Sequence, residues 1–122
     1  FGGSVTTLRL SGLDGRIAEI NEGAVRLAGE AIAASGRRFV LVASIGPPGE
    51  MLDPYGDLSA DEARDSFACQ AHLLKEAGVD EFTRETLTGL EKALLCVGPV
   101  KQIADGLPAF DSMAFKTSGR TM

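Results

Sequence analysis

The side chain with the strongest chemical claim is Glu85, near the end of the segment Val79-Asp80-Glu81-Phe82-Thr83-Arg84-Glu85-Thr86. If this segment is a strand of a parallel sheet, Glu85 stands at its C-terminal end, where α/β proteins gather ligand-contacting side chains. A carboxylate there could receive an ammonium or a hydroxyl. The alternatives are a solvated acid at a strand end, or a salt-bridge partner of Arg84 or Lys116. Two glycine clusters, Phe1-Gly2-Gly3-Ser4 and Gly46-Pro47-Pro48-Gly49, also follow strand ends. Such turns can present backbone N–H groups to a ligand, but neither matches GxGxxG or a P-loop, and plain turn geometry explains them equally well. Cys69 and Cys96 lack a CxxC or HxxxH companion that would complete a tetrahedral metal site, so both read as buried structural thiols. His72, beside Ala71 and Leu73 on a helix remote from any strand end, reads as a surface or packing residue. Lys116 is the one lysine placed for a Schiff base, as an aldolase-like lyase with Glu85 as acid or base would require.

The elements that must hold these residues follow from the hydrophobic pattern. Ile17, Ile20, Ala24, Leu27, Ala28, Ala31 and Ile32 recur at three- and four-residue steps, which predicts a helix from Asp14 to about Ser35, closed by Gly36. Phe39 to Ile45 is a β-branched run ending at Gly46-Pro47, the pattern of a strand buried on both faces. Ser59 and Glu62 form a capping box that opens a second helix carrying Ala63, Phe67, Gln70, Ala71, Leu74 and Ala77 up to Gly78. The strand Val79 to Glu85 comes next. A second capping box at Thr88 and Glu91 opens a third helix, which Gly98-Pro99 should kink or split, and Pro108 leads into a strand from Ala109 to Phe115. Alternating helices and strands with long crossovers specify one α/β domain with a parallel sheet. Spacing alone does not separate an open doubly wound sheet from part of a (β/α)8 barrel, which needs at least about 200 residues when complete.

Composition narrows the partners. The chain has 122 residues, 44% hydrophobic and 24% charged, enough for one packed core. A formal charge of -5, with no run of basic residues, argues against nucleic acid. No apolar run approaches the roughly 18 residues of a membrane span. Two cysteines and no signal peptide fit a reducing cytoplasm. Because the first residue is Phe and no closing element follows Gly119-Arg120-Thr121-Met122, we expect the chain to be a piece of something larger.

Seven segments then fall into register. Phe1-Gly2-Gly3-Ser4, Glu19-Ile20-Asn21 with Ala24-Val25, Val42-Ala43-Ser44-Ile45-Gly46-Pro47-Pro48-Gly49-Glu50, Gly56-Asp57-Leu58-Ser59, Ala77-Gly78-Val79-Asp80, Glu85-Thr86 and Gly119-Arg120-Thr121-Met122 together resemble the homocysteine S-methyltransferase family. The resemblance implies a (β/α)8 barrel, of which residues 1–122 would supply the end of the second strand through the fifth strand. It also implies a zinc ion on three cysteine thiolates that binds the homocysteine sulfur, lowers its pKa and prepares it to attack an activated methyl group, giving methionine. Donors across the family are betaine, S-methylmethionine and methylcobalamin recharged from methyltetrahydrofolate; the chain does not specify which. The family's zinc cysteines lie on the sixth strand and in a Gly-Gly-Cys-Cys stretch near the last, so the ligands are expected outside these residues. Neither Cys69 nor Cys96 aligns with them.

By the same resemblance Glu85 is the substrate-binding residue that grips the homocysteine ammonium, Phe1 and Gly2 belong to the loop beside the metal and sulfur, and Ser44 lies at the third strand's C-terminal end. The partners implied are homocysteine and a methyl donor; a homo-oligomer is compatible with the chain. Glu81, Thr83 and Arg84 in the fourth strand and Asp111 in the fifth depart from the family's apolar pattern, as does Gly98-Pro99 in a helix. Buried unpaired charges are costly, so these positions count against stable folding. The isolated segment should be inactive. The competing expectation is a small non-catalytic α/β module that associates through open sheet edges.

Overall fold

The computed structural model describes residues 1–121; Met122, the end of the Gly119-Arg120-Thr121-Met122 segment, lies outside the described residues. The elements run α1 (Val5–Arg9), a 3-10 turn (Asp14–Arg16), α2 (Ile17–Ser35), β1 (Val42–Ile45), α3 (Ala60–Glu76), β2 (Glu81–Leu87), α4 (Leu90–Ala104) and β3 (Ala109–Met113). The strands form one parallel sheet in the order β1-β2-β3. The α/β class and the parallel sheet are thus those expected, while no complete barrel is formed by these residues. Among the described residues no helix is long and apolar enough to cross a membrane.

Alternation along the strands divides the sheet into two unlike faces. Ala43 and Ile45 of β1 and Phe82 of β2 point toward the helices and are buried with Phe67, Ala71 and Leu74 of α3 and Cys96, Val100 and Ala104 of α4. The other face carries Val42, Ser44, Thr83, Glu85 and Phe110, all exposed or half-buried. Helix α2 packs on α3, and its stripe borders a cleft of about 260 Å³ against the free edge of β1, with Ile20, Ala24 and Ala28 facing Leu41 and Val42. Along α2 only Asn21 and Val25 are fully buried.

The Ser59–Glu62 capping box forms as expected: the Ser59 hydroxyl accepts from the Glu62 N–H, and the Glu62 carboxylate accepts from the Ser59 N–H. Replacing Ser59 by Ala leaves one helical donor unpaired and is expected to cost about 1 kcal/mol in urea unfolding.

Several boundaries differ from expectation. β1 starts at Val42 and β2 at Glu81, because Phe39, Val40 and Val79 precede the ladder hydrogen bonds. β3 ends at Met113; Phe115 instead makes an isolated antiparallel bridge with Thr121. The Thr88–Glu91 box does not form, since α4 begins one residue later with Gly89 as an N-cap that offers no side chain. Pro99 neither splits nor ends α4. Its missing N–H costs one helical bond, but Cys96, Val100 and Ala104 at helical steps are buried, and that burial outweighs the loss. The short α1 was not legible as a helix; Ser4 caps it, and Thr6 ties it to Ser66 of α3 through a buried hydroxyl contact.

The charges expected to oppose folding are resolved by pairing. Arg84 is only 3% exposed, yet its guanidinium forms a two-pronged ion pair with Asp111 directly opposite on β3, and donates to the Val97 carbonyl of α4 at 3.2 Å. Glu81 and Thr83 lie on the open face, half-buried, where polarity costs little. The departures in β2 and β3 therefore compensate one another.

Candidate functional site at the strand ends

The C-terminal end of β2 is irregular. Arg84 pairs with Asp111 and Leu87 with Met113, so three steps on β2 oppose two on β3, and the extra residue falls at Glu85-Thr86. Thr86 takes it up with φ 61, the one non-glycine residue in the left-handed region among the described residues. A β-branched residue pays for that conformation with strain, which persists only where surrounding contacts impose it.

Glu85 keeps to the open face by the ordinary alternation of β2, which the bulge then reverses so that Leu87 rather than Thr86 is buried. On that face Glu85 meets Ser44 of β1, whose hydroxyl donates to Glu85 Oε1 at 2.5 Å. Ser44 is also tied to the first residue, whose nitrogen donates to the Ser44 carbonyl at 2.9 Å along the free edge of β1. The Phe1 ring lies over Gly46, where a Cβ would stand 2.6 Å from the ring. A side chain there would push the ring aside. Gly2 contributes a left-handed turn, φ 72, and no side chain.

Asn21 and Gln70 hold this loop. Asn21 Nδ2 donates to the Gly3 carbonyl at 2.8 Å and to the Ile17 carbonyl at 2.9 Å, and its Oδ1 accepts from Gln70 Nε2 at 3.2 Å. Both amides are buried, so these bonds are made in a poorly solvated place and fix the loop firmly. Sequence reasoning assigned neither a role. The available signal was a polar residue at a position that helical periodicity places inside.

Of the expected site residues, Phe1, Ser44 and Glu85 come together, with Gly2 in the adjoining turn. Glu85 is partnered by Ser44 rather than by Arg84 or Lys116: Arg84 points to the helical face, and no ion pair joins Glu85 to Lys116 among the described residues. The Gly46-Pro47-Pro48-Gly49 cluster is bound up with packing, Gly46 beneath Phe1 and Pro48 fully buried.

The cysteines divide. Cys96 is buried as expected, and desolvation pushes its thiol up to about 12, with nearby Arg84 opposing the shift and Asp111 adding to it. Cys69 is exposed, against expectation, because it falls on the outer side of α3 between the buried Phe67 and Gln70. A brief iodoacetamide pulse at pH 8 followed by peptide mapping should label Cys69 and spare Cys96, since the thiolate is the nucleophile. His72 is exposed. Among the described residues no three His, Cys, Asp or Glu side chains gather as a metal site. With one thiol on the surface and the other in the core, the residues present do not fit a zinc centre.

The arrangement thus presents one carboxylate, Glu85, at the strand ends with the Ser44 hydroxyl on one of its oxygens. Comparison with individual curated proteins finds no match to the chain. A family model described as homocysteine S-methyltransferase matches residues 1–122, the whole chain, which therefore belongs to the homocysteine S-methyltransferase family.

Proposed function

We propose that these residues are the central part of a homocysteine-binding (β/α)8 barrel, from the end of its second strand through its fifth, and that Glu85 receives the substrate's ammonium group. The observation that carries the reading is the Ser44–Glu85 hydrogen bond at the strand ends, 2.5 Å long, on the sheet face opposite the helices. That face would be the barrel interior, and its strand ends the mouth where barrel enzymes bind their ligands.

The Ser44 hydroxyl occupies one oxygen of the carboxylate and fixes its plane. The other is left to accept a charge-assisted N–H bond from an ammonium. The Phe1 ring supplies an apolar wall for the methylene chain. Held by its amino end, homocysteine keeps its sulfur free to accept methyl: the thiol proton passes to water, the S–CH3 bond forms, and the donor departs with the electron pair of its broken bond. Glu85 holds the ammonium and moves no proton. The zinc that the family employs would be held by residues outside this chain, and the enzyme would work in a reducing cytoplasm. Nothing among these residues selects betaine, S-methylmethionine or methylcobalamin as donor.

The test is to supply the full-length protein with homocysteine and each of the three donors in turn. Methionine formed with one of them is the expected result; no consumption of homocysteine with any would overturn the reading. The competing association module draws support from β3, which ends the sheet with no strand beyond it among the described residues. It predicts a discrete dimer of these residues by solution mass, whereas a barrel segment gives none.

A further inference from the structure

We infer that the Arg84–Asp111 ion pair is a positioning device for Glu85, fixing the register of β2 on β3 so that the extra residue falls at Glu85-Thr86 and nowhere else. The inference rests on the reading of Glu85 as the ammonium ligand. In a sheet, a slip of one residue turns every side chain to the opposite face. A bulge is such a slip confined to one place, and its location decides which side chains are reversed. Here the location is bracketed. Before the bulge, the forked guanidinium of Arg84 grips both carboxylate oxygens of Asp111 at the facing register position, and reaches the Val97 carbonyl of α4 at 3.2 Å. After it, Leu87 pairs with Met113, and the Ala114 N–H donates to the Leu87 carbonyl at 3.0 Å.

Between the two brackets, Thr86 sits at φ 61, a conformation a threonine leaves when free to do so. Moving the extra residue back along β2 would relieve Thr86, rotate Glu85 away from Ser44 and break the Ser44–Glu85 bond. The ion pair stands immediately before the bulge and opposes that move. An apolar pair at these positions would fill the same space but has no directional bonds with which to resist it. Arg84 and Asp111 touch no substrate in this arrangement, and act only through Glu85.

The test compares the full-length parent with Glu85→Gln, Arg84→Lys and the double variant Arg84→Met/Asp111→Leu. Each is titrated with L-homocysteine and with 4-mercaptobutanoate, which lacks only the amino group, and each is melted. The ratio of the two affinities reports the ammonium contact alone, whereas general damage lowers both affinities together. The double variant should melt near the parent, since an apolar pair commonly replaces a buried ion pair without loss, yet its preference for homocysteine should fall about tenfold. Arg84→Lys keeps the charge without the fork and should lose part of the preference, which covers the case of a double variant that fails to fold. If Glu85→Gln loses the preference while Arg84→Lys and any folded double variant keep it, the ion pair is only structural and the inference is overturned. If Glu85→Gln itself keeps the preference, the reading of Glu85 falls, and the positioning role with it.

Discussion

Replacing Glu85 by Gln should weaken L-homocysteine binding to the full-length protein by about 10- to 100-fold, the equivalent of one hydrogen bond to a charged group. The substitution keeps the shape of the side chain, and its amide oxygen still accepts from the Ser44 hydroxyl, which contacts Glu85 at 2.5 Å. It removes the negative charge, so a bound ammonium would face a neutral acceptor. Calorimetric titration measures the change directly. Unfolding should move little, because Glu85 is half-buried and packs in no apolar cluster. Equal affinity in parent and variant would mean that the ammonium is held elsewhere.

The largest loss of stability should come from Asp111→Ala, about 3 kcal/mol or more, because it leaves a buried guanidinium without its counter-charge. The two halves of the pair are unequal: the Arg84 side chain is 3% exposed and that of Asp111 40%. Removing Asp111 leaves Arg84 with the Val97 carbonyl as its remaining partner in a poorly solvated place. Removing Arg84 instead, as Arg84→Met, leaves a carboxylate that water can reach, so the smaller loss is expected there. Urea unfolding of the two single variants measures the difference. Equal losses, or a larger one for Arg84→Met, would mean that the pair is solvated more evenly than its burial indicates.

The parallel α/β order was legible because its signals are local and redundant. The capping box at Ser59, the glycines at Gly36 and Gly78, and the apolar run at Phe39 to Ile45 each mark an element boundary within a few residues of the observed one. What stayed hidden depends on contacts between distant residues. Arg84 looked like a burden on β2 because its partner lies 27 residues away on β3. Cys69 was read as buried from its residue type, although one helical step decides which side of α3 it occupies. Gly98-Pro99 was read as a kink or split because propensity is judged locally, while the burial that holds α4 in one piece is tertiary.

The site was half legible. Glu85 could be singled out by its place at a strand end, and the resemblance drew Phe1, Gly2 and Ser44 to it. The bulge just after Glu85 and the Asn21–Gln70 pair that fixes the Gly3 loop have no short sequence signature, since both arise from pairings made only in the folded chain.

The most direct test of the central claim is a crystal structure of the full-length protein with L-homocysteine bound. The account predicts the substrate nitrogen at about 2.8 Å from the Glu85 oxygen that Ser44 leaves free, within the range of charge-assisted hydrogen bonds, with the methylene chain along the Phe1 ring. A homocysteine bound with its ammonium on other residues, and Glu85 still engaged by Ser44 alone, would contradict it.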